Sequence, residues 1–211
     1  MLLKMNNILI IPDNINLDII KNDSKLIELL ENSLSNYSYD IAKLVFYLYK
    51  DDYVCGKLKN KLWYHFKDHK WKVTELGPYN EISNNIVKLF ETYKKLETHN
   101  EDTIQKIDNL ITKLKNVSFK ETICRECIYL FYDSDFIKKL DKKINLVCFK
   151  NGIWDIQNKI LRDGMKKDYI SLSIDGDYNG QNDNIDYIIN QFIEFRKKIV
   201  LKRSPNHEFK I

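Results

Sequence analysis

The sequence predicts an α+β fold, mainly helical, with a β-hairpin near 61–75 and a small β-meander near 145–174. Three observations predict it. Apolar residues recur at three- and four-residue spacing over most of the chain. The run Leu62-Trp63-Tyr64-His65-Phe66 breaks that period with strand-forming residues. Residues 145–174 alternate short apolar runs with turn residues.

Taken in order, a short apolar lead precedes two helices. Ser24 is placed to cap the first, through Leu26, Ile27, Leu29 and Leu30, and Ser38 the second, through Ile41, Leu44, Val45 and Leu48. The hairpin follows, with Lys67-Asp68-His69-Lys70 as its pivot, Trp71-Lys72-Val73-Thr74 as its return strand and Gly77-Pro78 as punctuation. Ile82, Ile86, Leu89, Phe90, Tyr93 and Leu96 resume helical spacing, and Ile104, Ile107, Ile111 and Leu114 continue it, as a helical hairpin or one bent helix broken near 97–103. Further helices are expected over about 118–132 and 134–140.

In the meander, Asn151-Gly152 separates two apolar runs and suits a turn with two positive φ angles. Gln157-Asn158-Lys159 forms the next turn, and Ile170, Leu172 and Ile174 alternate with serines as a half-buried strand. Residues 183–201 return to helical spacing, and the last ten residues read as a tail. The expected divisions are an N-terminal extension (1–37), a central domain (38–181) and a C-terminal helix with tail (182–211).

The 211 residues are 44% hydrophobic, enough for one sizeable core or two small ones. No apolar run approaches the roughly 18 residues of a membrane span, and residues 1–14 lack a cleavable signal. Cys55, Cys124, Cys127 and Cys148 are too sparse for a disulfide scaffold, so an intracellular, reducing compartment is expected. The net charge of +4 is uneven: residues 57–72 hold six lysines against Asp68, and residues 196–203 hold Arg196, Lys197, Lys198, Lys202 and Arg203 without an acid. Such clusters suit a phosphate backbone, and equally a solvated lysine-rich face.

No glycine has the Gly-Lys-Ser/Thr context of a phosphate-cradling loop, so ATP hydrolysis by this chain alone is not expected. Asp133 and Asp135 follow an apolar run as paired metal-binding aspartates do in nucleotidyl enzymes, but the simpler reading makes them helix-end residues. Residues 175–186 resemble a calcium loop through Asp175, Asp177, Asn179, Gly180, Asp183 and Asp186; an upstream strand and a final Asp in place of Glu speak for a plain polar loop. Cys124 and Cys127 with His65 and His69 have the ligand types of zinc, but not its usual turn setting. There remain basic and aromatic residues interleaved along the hairpin, the combination used by binders of single-stranded nucleic acid. On that ground Lys59, Lys61, His65, Lys67, His69, Lys70 and Lys72 are the first candidates for DNA contact, with Arg162, Lys166 and Lys167 second. Alternation on a hairpin leaves Trp63 and Trp71 as either stacking platforms or core.

Three stretches, KLWYHFKDHKWK, CIYLFYDSDFIKKLD and NLVCFKNGIWDIQNKILRDGMKKDYISLSIDGDY, occur in an order and spacing that resemble the domain preceding the helicase in poxvirus-type primase-helicases of large DNA viruses, found also in phage and plasmid primases. The resemblance covers roughly residues 38–178 and is most specific in Asn151-Gly152 through Asp155, Arg162-Asp163-Gly164 and Asp168-Tyr169-Ile170-Ser171. It implies a non-catalytic collar or adaptor between a primase module and a hexameric superfamily 3 helicase, with DNA, helicase and primase modules as partners and self-association open. ATP and magnesium would then belong to the associated helicase, and the site of action would be the viral replication site in host cytoplasm. No primase module precedes and no Walker motif follows, so an excised domain or a shortened paralogue is expected. A pure protein–protein assembly module without DNA binding is the alternative, and a metal-dependent enzyme using Asp133 and Asp135 a third reading.

Overall fold

The structure, a computed structural model, describes residues 16–180 and 183–203, apart from the side chain of Asp183. The apolar lead and the residues after 203 lie outside the described residues. The architecture is α+β and mainly helical, with two small antiparallel sheets, as the spacing predicts. Two compact units divide the chain: Met1–Lys50 with Leu76–Phe131, and Asp51–Glu75 with Tyr132–Ile211.

The first unit is helical. Helices α1 (Leu17–Asn22), α2 (Ser24–Ser33) and α3 (Ser38–Tyr49) lead into α4 (Tyr79–Glu81), a π-turn (Ile82–Ile86), α5 (Val87–Tyr93), α6 (Glu101–Leu114) and α7 (Val117–Leu130). The cap of α2 is Asp23 rather than Ser24: its carboxylate accepts the Leu26 N–H at 2.9 Å and the Tyr47 hydroxyl at 2.8 Å, which ties the start of α2 to α3. Ser38 is the first residue of α3, whose N-cap, Tyr37, makes no side-chain cap bond. Helix α3 buries Ile41, Leu44, Val45 and Leu48, the residues its period selects, and packs on α2 and α7. Between α5 and α6 the chain breaks, and Asn100 caps α6 through the Thr103 N–H, which settles the helical-hairpin alternative.

The second unit holds both sheets. Strands β1 (Tyr53–Lys57), β2 (Leu62–Lys67) and β3 (Lys70–Thr74) form the first, so the expected hairpin gains a strand that the sequence reading missed. Strands β4 (Leu146–Phe149), β5 (Gly152–Asp155) and β6 (Ile160–Arg162) form the second; the short α8 (Phe136–Lys139) comes before it and α9 (Asp183–Arg203) after. One face of the first sheet gives Tyr64 and Trp71 to a core with Phe136 and Leu140, with Trp71 and Phe136 edge-on at 5.0 Å. The second sheet packs Val147, Phe149 and Trp154 against Tyr178 and Ile189 of α9.

Two details of the meander differ from expectation. Residues 170–174 are not its third strand, which is β6. They run between the sheets: Ile170 O accepts the Trp71 N–H at 2.7 Å, and the Ile174 N–H donates to Cys148 O at 2.9 Å. The β4–β5 turn has no pair of left-handed residues, since Phe149 pairs with Gly152 and only Gly152, at φ 146°, is positive. Asn151 instead spends its side chain on the Tyr178 backbone, accepting its N–H at 2.9 Å and donating to its carbonyl at 3.0 Å. The left-handed pair sits at Asp68 (φ 51°) and His69 (φ 67°), in the β2–β3 turn.

Candidate nucleic-acid interface

Register fixes which cations share a face. His65 pairs with Lys72 and Lys67 with Lys70 across β2 and β3, so these four side chains lie on the sheet face opposite Tyr64, Phe66 and Trp71. The aromatics of the hairpin are core: Trp63 and Trp71 are 3% and 4% exposed. They are therefore closed as platforms for bases, and the half-buried His65 ring is itself stacked on Tyr53 at 4.2 Å.

The loop 162–168 joins the β2–β3 turn. The Gly164 N–H donates to His69 Nδ1 at 3.1 Å, and the Trp71 indole N–H donates to Lys166 O at 3.0 Å. A Cβ at Gly164 would lie 2.3 Å from the His69 carbonyl oxygen, so only glycine permits this approach. Arg162, Lys166 and Lys167 thus come to the same end of the sheet as Lys67, His69, Lys70 and Lys72. Lys59 and Lys61 stand in the β1–β2 turn at the other end of β2, about 17 Å away for six strand residues.

Several of these cations are committed within the fold. Arg162 makes a two-pronged ion pair with Asp168, at 2.8 and 3.0 Å, and the Met165 N–H adds a third bond to that carboxylate. Burial works to raise the Asp168 pKa, but these donors outweigh it and hold it below the usual carboxylate range. Lys166 pairs with Asp52 at 2.8 Å and Lys72 with Asp68 at 2.5 Å, whereas Lys70 donates only to the neutral Ser173 hydroxyl and has no acidic partner among the described residues. Lys59, Lys61, Lys67 and Lys167 are exposed and have no ion-pair partner among the described residues. Charge follows the same division: the two-sheet unit carries 21 Lys or Arg against 16 Asp or Glu, and the helical unit 13 against 14.

The residues of the metal-like patterns take part in local contacts. Asp133 Oδ1 accepts the Asp135 N–H at 2.8 Å, and the two carboxylates pair with Lys139 and Lys138, as helix-end residues do. Cys124 and Cys127 lie on α7 of the helical unit, and burial pushes the Cys124 thiol up to about 12 and Cys127 well above its usual value. His65 and His69 belong to the other unit. In the calcium-like loop Asp175 pairs with Lys150 at 2.8 Å, while residues 181–182 and the side chain of Asp183 lie outside the described residues. Among the described residues no three of His, Cys, Asp and Glu gather as a metal site.

Two buried polar residues are structural: Arg196, which the basic run 196–203 offered as a surface cation, and Asp141, which no sequence pattern marked. Arg196 is fully buried and donates to Leu146 O at 2.5 Å and Ile144 O at 2.8 Å. Asp141, also fully buried, accepts the backbone N–H groups of Ser171 and Leu172 and pairs with Arg203 at 2.7 Å, which fastens the end of α9. No local sequence signal marks Asp141, whose partners lie 30 to 62 positions away.

A model of the family described as D5 N terminal like matches residues 42–196. Putative helicase L207/L206 of Acanthamoeba polyphaga mimivirus is 31% identical over 164 residues, covering 70% of this chain and 17% of its own length. Putative helicase 121R of Invertebrate iridescent virus 3 is 34% identical over 73 residues, covering 35% of this chain and 8% of its own. Putative helicase 022R of Frog virus 3 (isolate Goorha) is 32% identical over 79 residues, with 37% and 8% covered. The chain therefore spans less than a fifth of the length of each of these relatives.

Proposed function

The chain belongs to the D5 N-terminal-like family, and from that premise we propose that it is a non-catalytic adaptor of a viral replicative primase-helicase that contacts DNA and aids assembly of the helicase ring. Its nucleotide chemistry then belongs to an associated helicase module using ATP and magnesium, and it acts where viral DNA is replicated in the host cytoplasm. The observation that carries the DNA-binding part is the Lys67–Lys70 pair. Like charges directly opposite across two strands repel, and an anion lying over them removes the penalty. Lys167 stands on loop 162–168, whose Gly164 N–H meets His69 of the same turn, and it has no acidic partner among the described residues. We take Lys67, Lys70 and Lys167 as the principal phosphate contacts at this end.

The test is fluorescence anisotropy of the chain with labelled single-stranded and duplex DNA across a salt series. Binding should weaken with salt, and a Lys67→Glu, Lys70→Glu, Lys167→Glu variant should lose about 0.9 from the duplex salt slope per contact removed. Unchanged affinity in that variant, with its melting preserved, refutes the assignment. A second reading, in which the domain acts through protein contact alone, is favoured by the apolar surface at Ile144 and Leu201, 50% and 62% exposed. It predicts no DNA binding at low salt.

A further inference from the structure

We propose that the β1–β2 turn is a second phosphate contact, and that the two ends of β2 together make the domain a reader of duplex rather than single-stranded nucleic acid. The inference rests on the DNA-contact reading and adds its substrate class. Lys59 and Lys61 stand in the turn after β1; both are exposed, and neither has a carboxylate partner among the described residues. This sets them apart from Arg162, Lys166 and Lys72, whose acids are supplied by the fold. Lys57, which ends β1, pairs with Leu62 and so faces the Tyr64 and Phe66 side, away from Lys67 and Lys70.

The turn is also held in place. The Lys61 N–H donates to Leu58 O at 3.2 Å, and Lys61 itself is left-handed at φ 48°, a conformation usually left to glycine or asparagine. Just before it the β1–β2 register shifts between Cys55 and Lys57. The intervening Gly56 lies so close to α8 that a Cβ would meet the Ile137 side chain at 2.9 Å and the Tyr64 ring at 3.2 Å. The bulge is thus seated on the core of its own unit, and the lysines are presented from an anchored base.

Two anchored cationic points about 17 Å apart along β2 call for a ligand that offers phosphates at fixed separation. A duplex does so, advancing about 3.4 Å per base pair, so about five base pairs separate the two contacts. A flexible single strand reaches both points only by ordering its backbone, which reduces the gain from the second contact.

The experiment uses the full chain and stem-loop DNAs that share one loop and carry stems of four, eight or twelve base pairs, with a twelve-nucleotide single strand beside them. Affinity should step up about tenfold or more between four and eight base pairs, and the single strand should bind about as weakly as the shortest stem. A Lys59→Gln, Lys61→Gln variant should abolish the step while binding the four-base-pair stem as before. Its salt slope on the longest stem should be lower by up to about 1.8. If that variant binds every stem like the unmodified chain, or if the single strand matches the twelve-base-pair stem, the two-point proposal falls while the DNA-contact reading stands. If the unmodified chain binds none of these DNAs at low salt, both fall together.

Discussion

In an Arg162→Leu variant, the Asp168 carboxylate keeps only the Met165 N–H at 2.8 Å and loses both guanidinium contacts. Asp168 is 3% exposed, so it cannot replace them with bulk water. Removing one partner of a buried ion pair costs about 3–5 kcal/mol. The Arg162 side chain is 22% exposed, which screens part of the pair and brings the expectation down to about 2–4 kcal/mol. In a chain of this length each kcal/mol moves the melting temperature by about 2–4 °C, so a fall of about 4–16 °C is expected.

The pH dependence carries the diagnostic sign. In the unmodified chain the folded Asp168 pKa lies below its unfolded value of about 3.9, so its contribution is full above that value and is lost as pH falls through the folded pKa. In the variant, burial is opposed mainly by one N–H, and the folded pKa rises above the unfolded one. Its stability deficit should then shrink as pH is lowered from 7 towards 4. Urea unfolding at several pH values measures both effects. A deficit under about 0.5 kcal/mol at pH 7, or one that does not change with pH, refutes the buried-pair argument. Reduced DNA affinity with unchanged melting would make Arg162 a phosphate contact instead.

Three further outcomes follow from the same packing. Asp141→Ala orphans the Ser171 and Leu172 N–H groups and the Arg203 guanidinium, and should cost about 3–5 kcal/mol in the urea midpoint, with Asp141→Asn costing less. Gly164→Ala would push a methyl group to 2.3 Å from the His69 carbonyl oxygen, so loop 162–168 must leave the β2–β3 turn; a loss of about 1–3 kcal/mol and a shifted His69 imidazole resonance should report it. Burial pushes the Cys148 thiol up to about 11 and Cys127 well above its usual value, so at pH 8 these two should react with a thiol reagent only after denaturant is added.

The helices were legible because their apolar residues follow the 3.6 period closely enough to name most of the buried positions of α3 and α6, though Ala42, Tyr49 and Leu110 are buried as well and Ile104 is only half-buried. Caps were legible to within one residue: Ser24 and Asp23 are both good capping residues, and the choice between them was made by Tyr47, which takes the second oxygen of Asp23. Strand β1 was missed because Tyr53-Val54-Cys55-Gly56-Lys57 is short, carries a glycine at a bulge and follows α3 after only a few residues. Alternation at 170–174 marked a strand with one buried face, but of its three apolar residues only Ile170, 1% exposed, is buried, and alternation says nothing about which neighbours a segment bridges. Strand β6 has two exposed apolar residues out of three and offered no pattern to read.

The candidate interface was legible as charge but not as available charge, and residues 196–203 show why. In sequence they are five cations without an acid. In the helix, Arg196 and Arg203 are two turns apart on the stripe that faces the sheets, where one donates to buried carbonyls and the other pairs with Asp141. Lys197 pairs with Glu194 at 2.7 Å, which leaves Lys198 and Lys202 as the exposed cations of that run without an acidic partner among the described residues. Lys59 and Lys61 lie in a turn and have no apolar period to follow, so the core makes no claim on them. Lys67, at the end of β2, is in the same position, whereas Arg162 and Lys166 are matched by acids six and 114 positions away. Whether a cation can meet a phosphate is decided by where the fold delivers the acids. A basic run in a turn is accordingly stronger evidence for an anion partner than an equally basic run in register with a buried helix face.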